Sequence, residues 1–315
     1  MILVNSGRET FRLRETPRKI AAGSQIVEQR SLPLALILPH PRSSVNDEAM
    51  TPISQPLSFV PDSPFVSHVS PSPNFGERRN GARPDMLILH YTGMASCEGA
   101  ICWLASPESG VSCHYIVDED GTITQMVPEA HRAWHAGVSQ WQGCDDINSC
   151  SIGVEIHNPG HDGGYPDFPN AQMAAVEMLC FDIAHRHAIE PGRVLAHSDV
   201  APRRKIDPGE RFNWARLALA GIGRWVEPAE ISGGDAHELG DAGEGVLDLQ
   251  ASLAAYGYGI DASGIFDEHT QFVVAAFQRH FRPALVDGRA DRSTLETLAA
   301  LLLPEPKSWD AFEED

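Results

Sequence analysis

The apolar run Met86-Leu87-Ile88-Leu89 stops at a histidine, His90, and continues as Tyr91-Thr92-Gly93. Consecutive apolar residues of this kind read as a buried strand, and a polar side chain that ends one needs a partner. A second short run, Val194-Leu195-Ala196, follows the Pro191-Gly192 break and also ends in a histidine, His197. Between them the chain alternates element types. Ser96 is placed to cap a helix running to about Ala105. His114 to Val117 and Thr122 to Val127 read as a hairpin around Asp120-Gly121. Ser151 to His157 reads as a strand with Ile152, Val154 and Ile156 on one face and Gly153, Glu155 and His157 on the other. Ala171 to Ala188 carries Met173, Val176, Cys180 and Ile183 at helical spacing, and Asn213 to Val226 reads as a closing helix. Interleaved strands and helices place the chain in the α/β or α+β class with one central sheet.

The rest of the chain divides by composition. Residues 1–75 are punctuated by proline and serine and read as an irregular N-terminal arm. Residues 76–226 hold the sheet. Residues 227–245 mix glycine with acidic residues and read as a flexible linker. Residues 246–303 read as a small three-helix bundle: Val246 to Tyr256, Gln271 to Phe281 and Ser293 to Leu303. A weak repeat, Gly264 to Thr270 and Gly288 to Thr294, precedes the second and third of these helices as turn and cap. Residues 304–315 are a tail.

Charge and cysteine usage narrow the function. The chain carries a formal net charge of −19, and no Lys or Arg occurs from Trp225 to Gln278. A helix-turn-helix pattern in the C-terminal helices therefore lacks the basic footprint nucleic acid demands, and anionic membranes are disfavoured in the same way. No run reaches the roughly 18 apolar residues of a transmembrane segment. The first thirty residues lack the form of a signal peptide, which gives a cytoplasmic expectation with export as the alternative. The six cysteines form no CxxC pair and read as small buried hydrophobes.

His90, His197 and Asp207, the last within Lys205-Ile206-Asp207-Pro208-Gly209, offer two imidazoles and a carboxylate. That set can hold Zn²⁺ and leave a fourth position open for water, the pattern of a hydrolytic rather than a closed site. Glu155 lies mid-strand, where a glutamate needs either an open face or a task, and beside a metal it can orient or deprotonate water. Lys205 can stabilise an oxyanion. Taken singly, each has an ordinary alternative: a hydrogen-bonded core histidine, a glutamate on the solvent face of a sheet, a solvated lysine.

Four segments carry a resemblance: His90-Tyr91-Thr92, Trp134-His135-Ala136-Gly137, Ser151 to Ile156 and His197 to Gly209. In this order they resemble the type 2 N-acetylmuramoyl-L-alanine amidases, the AmpD- and AmiD-like zinc amidases, over about residues 70–226. The resemblance implies a central mixed β-sheet flanked by helices and one Zn²⁺ per chain, held by His90, His197 and Asp207. It also implies catalytic roles for Glu155 and Lys205, and substrate contacts from His135, Trp134 and Asn158, with packing as the alternative for Trp134. The implied reaction cleaves the amide between the lactyl group of N-acetylmuramic acid and L-alanine, in peptidoglycan or muropeptides. Residues 246–303 resemble the helical peptidoglycan-binding domain, which on a flexible linker would raise the local concentration of substrate. Two rivals share these features: a peptidoglycan-recognition protein that binds without cleaving, and a phage-type lysin. The first has no need of Glu155 and Lys205 beside a metal.

Overall fold

Two parallel strands, Met86–Tyr91 and Ser151–Ile156, run side by side in register through the middle of a six-stranded sheet. Val194–Ala196 pairs parallel with the other edge of Met86–Tyr91, and Tyr115–Val117 pairs parallel with Ser151–Ile156. Ile123–Gln125 returns antiparallel to Tyr115–Val117, closing the hairpin read from Asp120-Gly121. The sheet is therefore mixed. The chain is seen here in a computed structural model that describes residues 59–304. Residues 1–58 of the N-terminal arm and 305–315 of the tail lie outside the described residues.

Alternation along the central strands sorts the core into two layers. Leu87, Leu89, Ile152, Val154 and Ile156 face the long helix Asn170–His187 and meet its Val176, Leu179, Cys180 and Ile183. Met86, Ile88 and Leu195 face the other way, toward Trp141, Ile147 and Val200. Each such fully buried side chain contributes roughly 1.5–3 kcal/mol. Ser96 caps the Cys97–Leu104 helix as expected, its side chain accepting from the Gly99 amide.

Four expectations need correction. The helix read over 213–226 is only Trp214–Leu219. Asn213 caps it, and the chain leaves helical geometry at Ala220 and Gly221, whose φ of 78° suits glycine. The described end of the arm is not loose. His68–Val69 joins the sheet edge beside Ile123–Gln125, Phe75–Gly76 pairs with Arg132–Ala133, and Ser72 and Asn74 are buried. Proline there keeps the backbone extended, and an extended backbone can pair at a sheet edge.

The segment 227–245 is likewise tied down. Ala229 bonds through both backbone groups to Thr297 and Ser293, Ala236–His237 pairs with Ala290–Asp291, and Gly243 donates to Gly264. Its glycines and acidic side chains look like solvated linker, but its backbone hydrogen bonds are invisible to composition. The cysteines are free: Cys97, Cys113 and Cys180 are buried, Cys144 and Cys150 half-buried, and Cys102 exposed.

The C-terminal helices Glu244–Tyr256, Glu268–Phe281 and Arg292–Leu302 form the expected bundle. The bundle does not hang from a tether. Leu253, Tyr256, Tyr258 and Phe277 belong to the same hydrophobic cluster as Met86, Ile88, Trp141 and Val200. Trp141 is fully buried and meets Tyr258 edge-on, with ring centroids 5.0 Å apart.

Candidate active site

Three parallel strands end together, and the site lies at their carboxyl ends, where open α/β sheets place ligands. His90 is the register partner of Glu155, and Leu89 is the partner of Ala196, so His197 follows directly beside His90. The pairing that builds the sheet thus brings together residues far apart in sequence. His197 opens the short helix His197–Val200, whose Ser198 amide donates to the Asp207 carbonyl oxygen at 3.0 Å. That bond returns the 201–207 loop to the strand ends.

The result is a tight triad. His90 Nδ1 lies 2.9 Å from His197 Nδ1 and 3.2 Å from Asp207 Oδ2, and His197 Nδ1 lies 3.0 Å from the same oxygen. All three residues are buried. Hydrogen-bond polarity fixes what these atoms are. His197 Nε2 faces the Ala136 carbonyl, which can only accept, so Nε2 carries hydrogen. Ser151 Oγ donates to the Ile147 carbonyl and therefore accepts from His135 Nε2. That leaves His135 Nδ1 to accept from His90 Nε2 at 3.1 Å. Burial lowers the His90 pKa to about 4, with His197 adding to the effect, and puts His135 well below the usual histidine range. Two imidazole lone pairs and a carboxylate oxygen then converge with no proton to share between them. That is a donor set for a cation, and its composition is that of a catalytic zinc site with an open position.

Glu155 stands beside the triad. It is half-buried, and its Oε2 is enclosed with no protein partner. Burial pushes its carboxyl well above the ordinary range; the Asp207 charge adds to this and the Lys205 charge opposes it. Lys205 and Trp134 are half-buried and line the same groove, a cavity of about 390 Å³ that also reaches His90, Glu155 and Asp207. Five of the residues expected from sequence, His90, His197, Asp207, Glu155 and Lys205, are thus brought together.

The three expected substrate contacts fare differently. Trp134 lines the groove. The His135 ring borders it, but both ring nitrogens are committed to His90 and Ser151, so this residue supports a triad imidazole from behind. The Asn158 side chain is turned inward: its amide donates to the Pro166 carbonyl and its oxygen accepts from the Gly160 amide. It shapes the 158–166 loop, a role that position after a strand does not reveal.

Other residues at the site were not read from the sequence. Asn148 Oδ1 accepts from the His135 and Ala136 amides, and Arg204 shares the Ala136 carbonyl with His197. Tyr91 Oη pairs with His161 Nδ1, whose ring also meets Glu210, at the groove's edge. Tyr91 and Arg204 lay inside motifs without a role read for them; Asn148, His161 and Glu210 act through contacts that spacing does not encode.

Gly153 sits on the same face as Glu155, and a Cβ there would overlap the His135 ring. Gly153→Ala should expel that ring and strip His90 of its acceptor, weakening zinc binding about 10- to 100-fold. Competition with a chromophoric chelator measures this; affinity within twofold of the parent would show that His135 is dispensable.

Comparison with known proteins agrees with this geometry. The N-acetylmuramoyl-L-alanine amidase family model matches residues 80–210, and the peptidoglycan binding domain model matches residues 242–298. The N-acetylmuramoyl-L-alanine amidase AmiD of Escherichia coli is 36% identical over 232 residues, covering 70% of this chain and 83% of that protein. The 1,6-anhydro-N-acetylmuramyl-L-alanine amidase AmpD of Escherichia coli is 35% identical over 167 residues, covering 47% of this chain and 88% of that one. Among solved structures, the complex of Escherichia coli AmiD with anhydro-N-acetylmuramic acid-L-Ala-D-gamma-Glu-L-Lys superposes with a TM-score of 0.60 at 35% identity. That match covers 73% of this chain and 97% of that one. The fold and these relatives define an amide hydrolase, with a donor set suited to a metal ion at the ends of its strands. The chain belongs to the N-acetylmuramoyl-L-alanine amidase family.

Proposed function

We propose that the chain is a zinc enzyme that hydrolyses the amide between the lactyl group of N-acetylmuramic acid and L-alanine in peptidoglycan fragments. The observation that carries this is the convergence of two imidazole lone pairs and a carboxylate beside a glutamate whose enclosed Oε2 has no protein partner. His90, His197 and Asp207 would hold the ion. When bound, the metal polarises the scissile carbonyl and makes water a stronger acid.

The chain's own residues do the rest. Glu155, with its affinity for a proton raised by burial, accepts one from the attacking water and passes it to the departing amide nitrogen. The carbonyl carbon gains the hydroxyl and becomes a carboxylic acid, and the nitrogen leaves as the free amine of L-alanine. Lys205, on the groove wall, balances the negative charge that develops on the carbonyl oxygen. Trp134 offers a flat apolar surface for the substrate beside these groups.

Mass spectrometry of a muropeptide digest tests the reading, with protein as isolated, after chelation, and after zinc is restored. Free stem peptide and peptide-free sugar should appear, vanish on chelation and return with zinc. Intact muropeptide throughout, with folded and zinc-loaded protein, would reject it.

A further inference from the structure

The His197–Val200 turn carries more than one ligand. His197 opens it, the Ser198 amide holds the Asp207 carbonyl, and the His197 carbonyl accepts from Ala201, whose own carbonyl accepts from the Lys205 amide. Asp199 points away from the groove, into the seam with the C-terminal helices, and is completely buried. Its Oδ1 accepts from the Tyr258 hydroxyl at 2.7 Å. Its Oδ2 accepts from His280 Nδ1 at 2.7 Å and from the Ala196 amide at 2.8 Å. Tyr258 and His280 are themselves buried, and the His280 ring stacks on Trp214 and Phe281, each with centroids 3.8 Å apart.

Two of the three donors to this carboxylate therefore come from the C-terminal domain. A domain that served only to hold polymer would have no reason to reach beneath the turn that bears a metal ligand. A buried carboxylate that loses a donor keeps the desolvation cost, so the turn would shift to find another. We infer that Tyr258 and His280 are positioning residues of the metal centre. Through Asp199 they fix the turn that aims His197 and anchors the backbone of Asp207 and Lys205. The inference rests on the zinc reading above. It makes the C-terminal domain part of every turnover, including turnover of a small soluble muropeptide that offers no polymer to hold.

The test uses the full chain and a monomeric soluble muropeptide. Tyr258→Phe removes one oxygen; His280→Phe keeps a stacked ring and removes the donor; His280→Asn restores an N–H near the position of Nδ1. Leu298→Ala, in the bundle core but with no bond to Asp199, is the control for general loosening. Zinc dissociation constants come from chelator competition, kcat and KM from zinc-saturated enzyme, and melting curves report the fold. Tyr258→Phe and His280→Phe should bind zinc about tenfold more weakly, at the lower end of what supporting residues contribute. Their kcat should fall with KM within twofold, His280→Asn should recover most of both losses, and Leu298→Ala should lose stability alone. Zinc affinity and kcat within twofold of the parent in Tyr258→Phe and His280→Phe would overturn the inference, as would equal losses in Leu298→Ala. A parent that binds no zinc would instead sink the metal reading itself.

Discussion

Glu155→Gln is expected to lower kcat by about 10²- to 10⁴-fold, the usual worth of a positioned acid–base group and about 3–5 kcal/mol of barrier. Glutamine keeps the size of the side chain and removes only its ability to take up and release a proton. The residue is held by the sheet, as the register partner of His90, so the substitution leaves the backbone undisturbed. Zinc content and KM should stay near the parent values, because Glu155 is not in the His90–His197–Asp207 triad. Its burial matters to the size of the effect. A carboxyl lifted well above the ordinary range, with Asp207's charge reinforcing burial, holds a proton strongly enough to deliver it to a leaving amine. A kcat within tenfold of the parent, with zinc bound and the fold intact, would remove Glu155 from the reaction.

Asp207→Ala should abolish both zinc binding and hydrolysis. Two imidazoles would remain, one donor short of the three-ligand set typical of catalytic zinc. The effect on stability separates loss of metal from loss of fold. At 100 times its dissociation constant a ligand that binds only the native state contributes about 2.7 kcal/mol. For a chain of 315 residues that should raise the parent's melting temperature by about 4 °C. The Asp207→Ala protein should show a cooperative transition that zinc at the same concentration does not move. A zinc-dependent shift equal to the parent's would mean that the ion sits elsewhere.

The parts of this site that were legible in the sequence share one property. His90 and His197 each break an apolar strand at its end, and Glu155 interrupts one in the middle, so local pattern alone marks them as needing a purpose. Asp207 and Lys205 sat in a long motif. The parts that were not legible depend on contacts between distant segments. Whether His135 faces substrate or supports His90 turns on Ser151 and on the missing side chain at Gly153. Asn158 satisfies its own loop, which no periodicity foretells. The fold shows the same division. The central strands, the Ser96 cap and the three C-terminal helices follow from local rules. The seam between Trp141 and Tyr258, and the pinned backbone of 227–245, follow from tertiary pairing that composition does not record.

That shared core has a consequence for how such an enzyme would meet a polymer. A module on a loose string can grip a strand anywhere within the string's reach, and the blade then samples many bonds. Here the bundle and the sheet are halves of one body. If the C-terminal helices grip the wall, the interval between the point held and the bond presented is built into the protein. The chain would then work as a ruler, cutting at a set offset from where it lands.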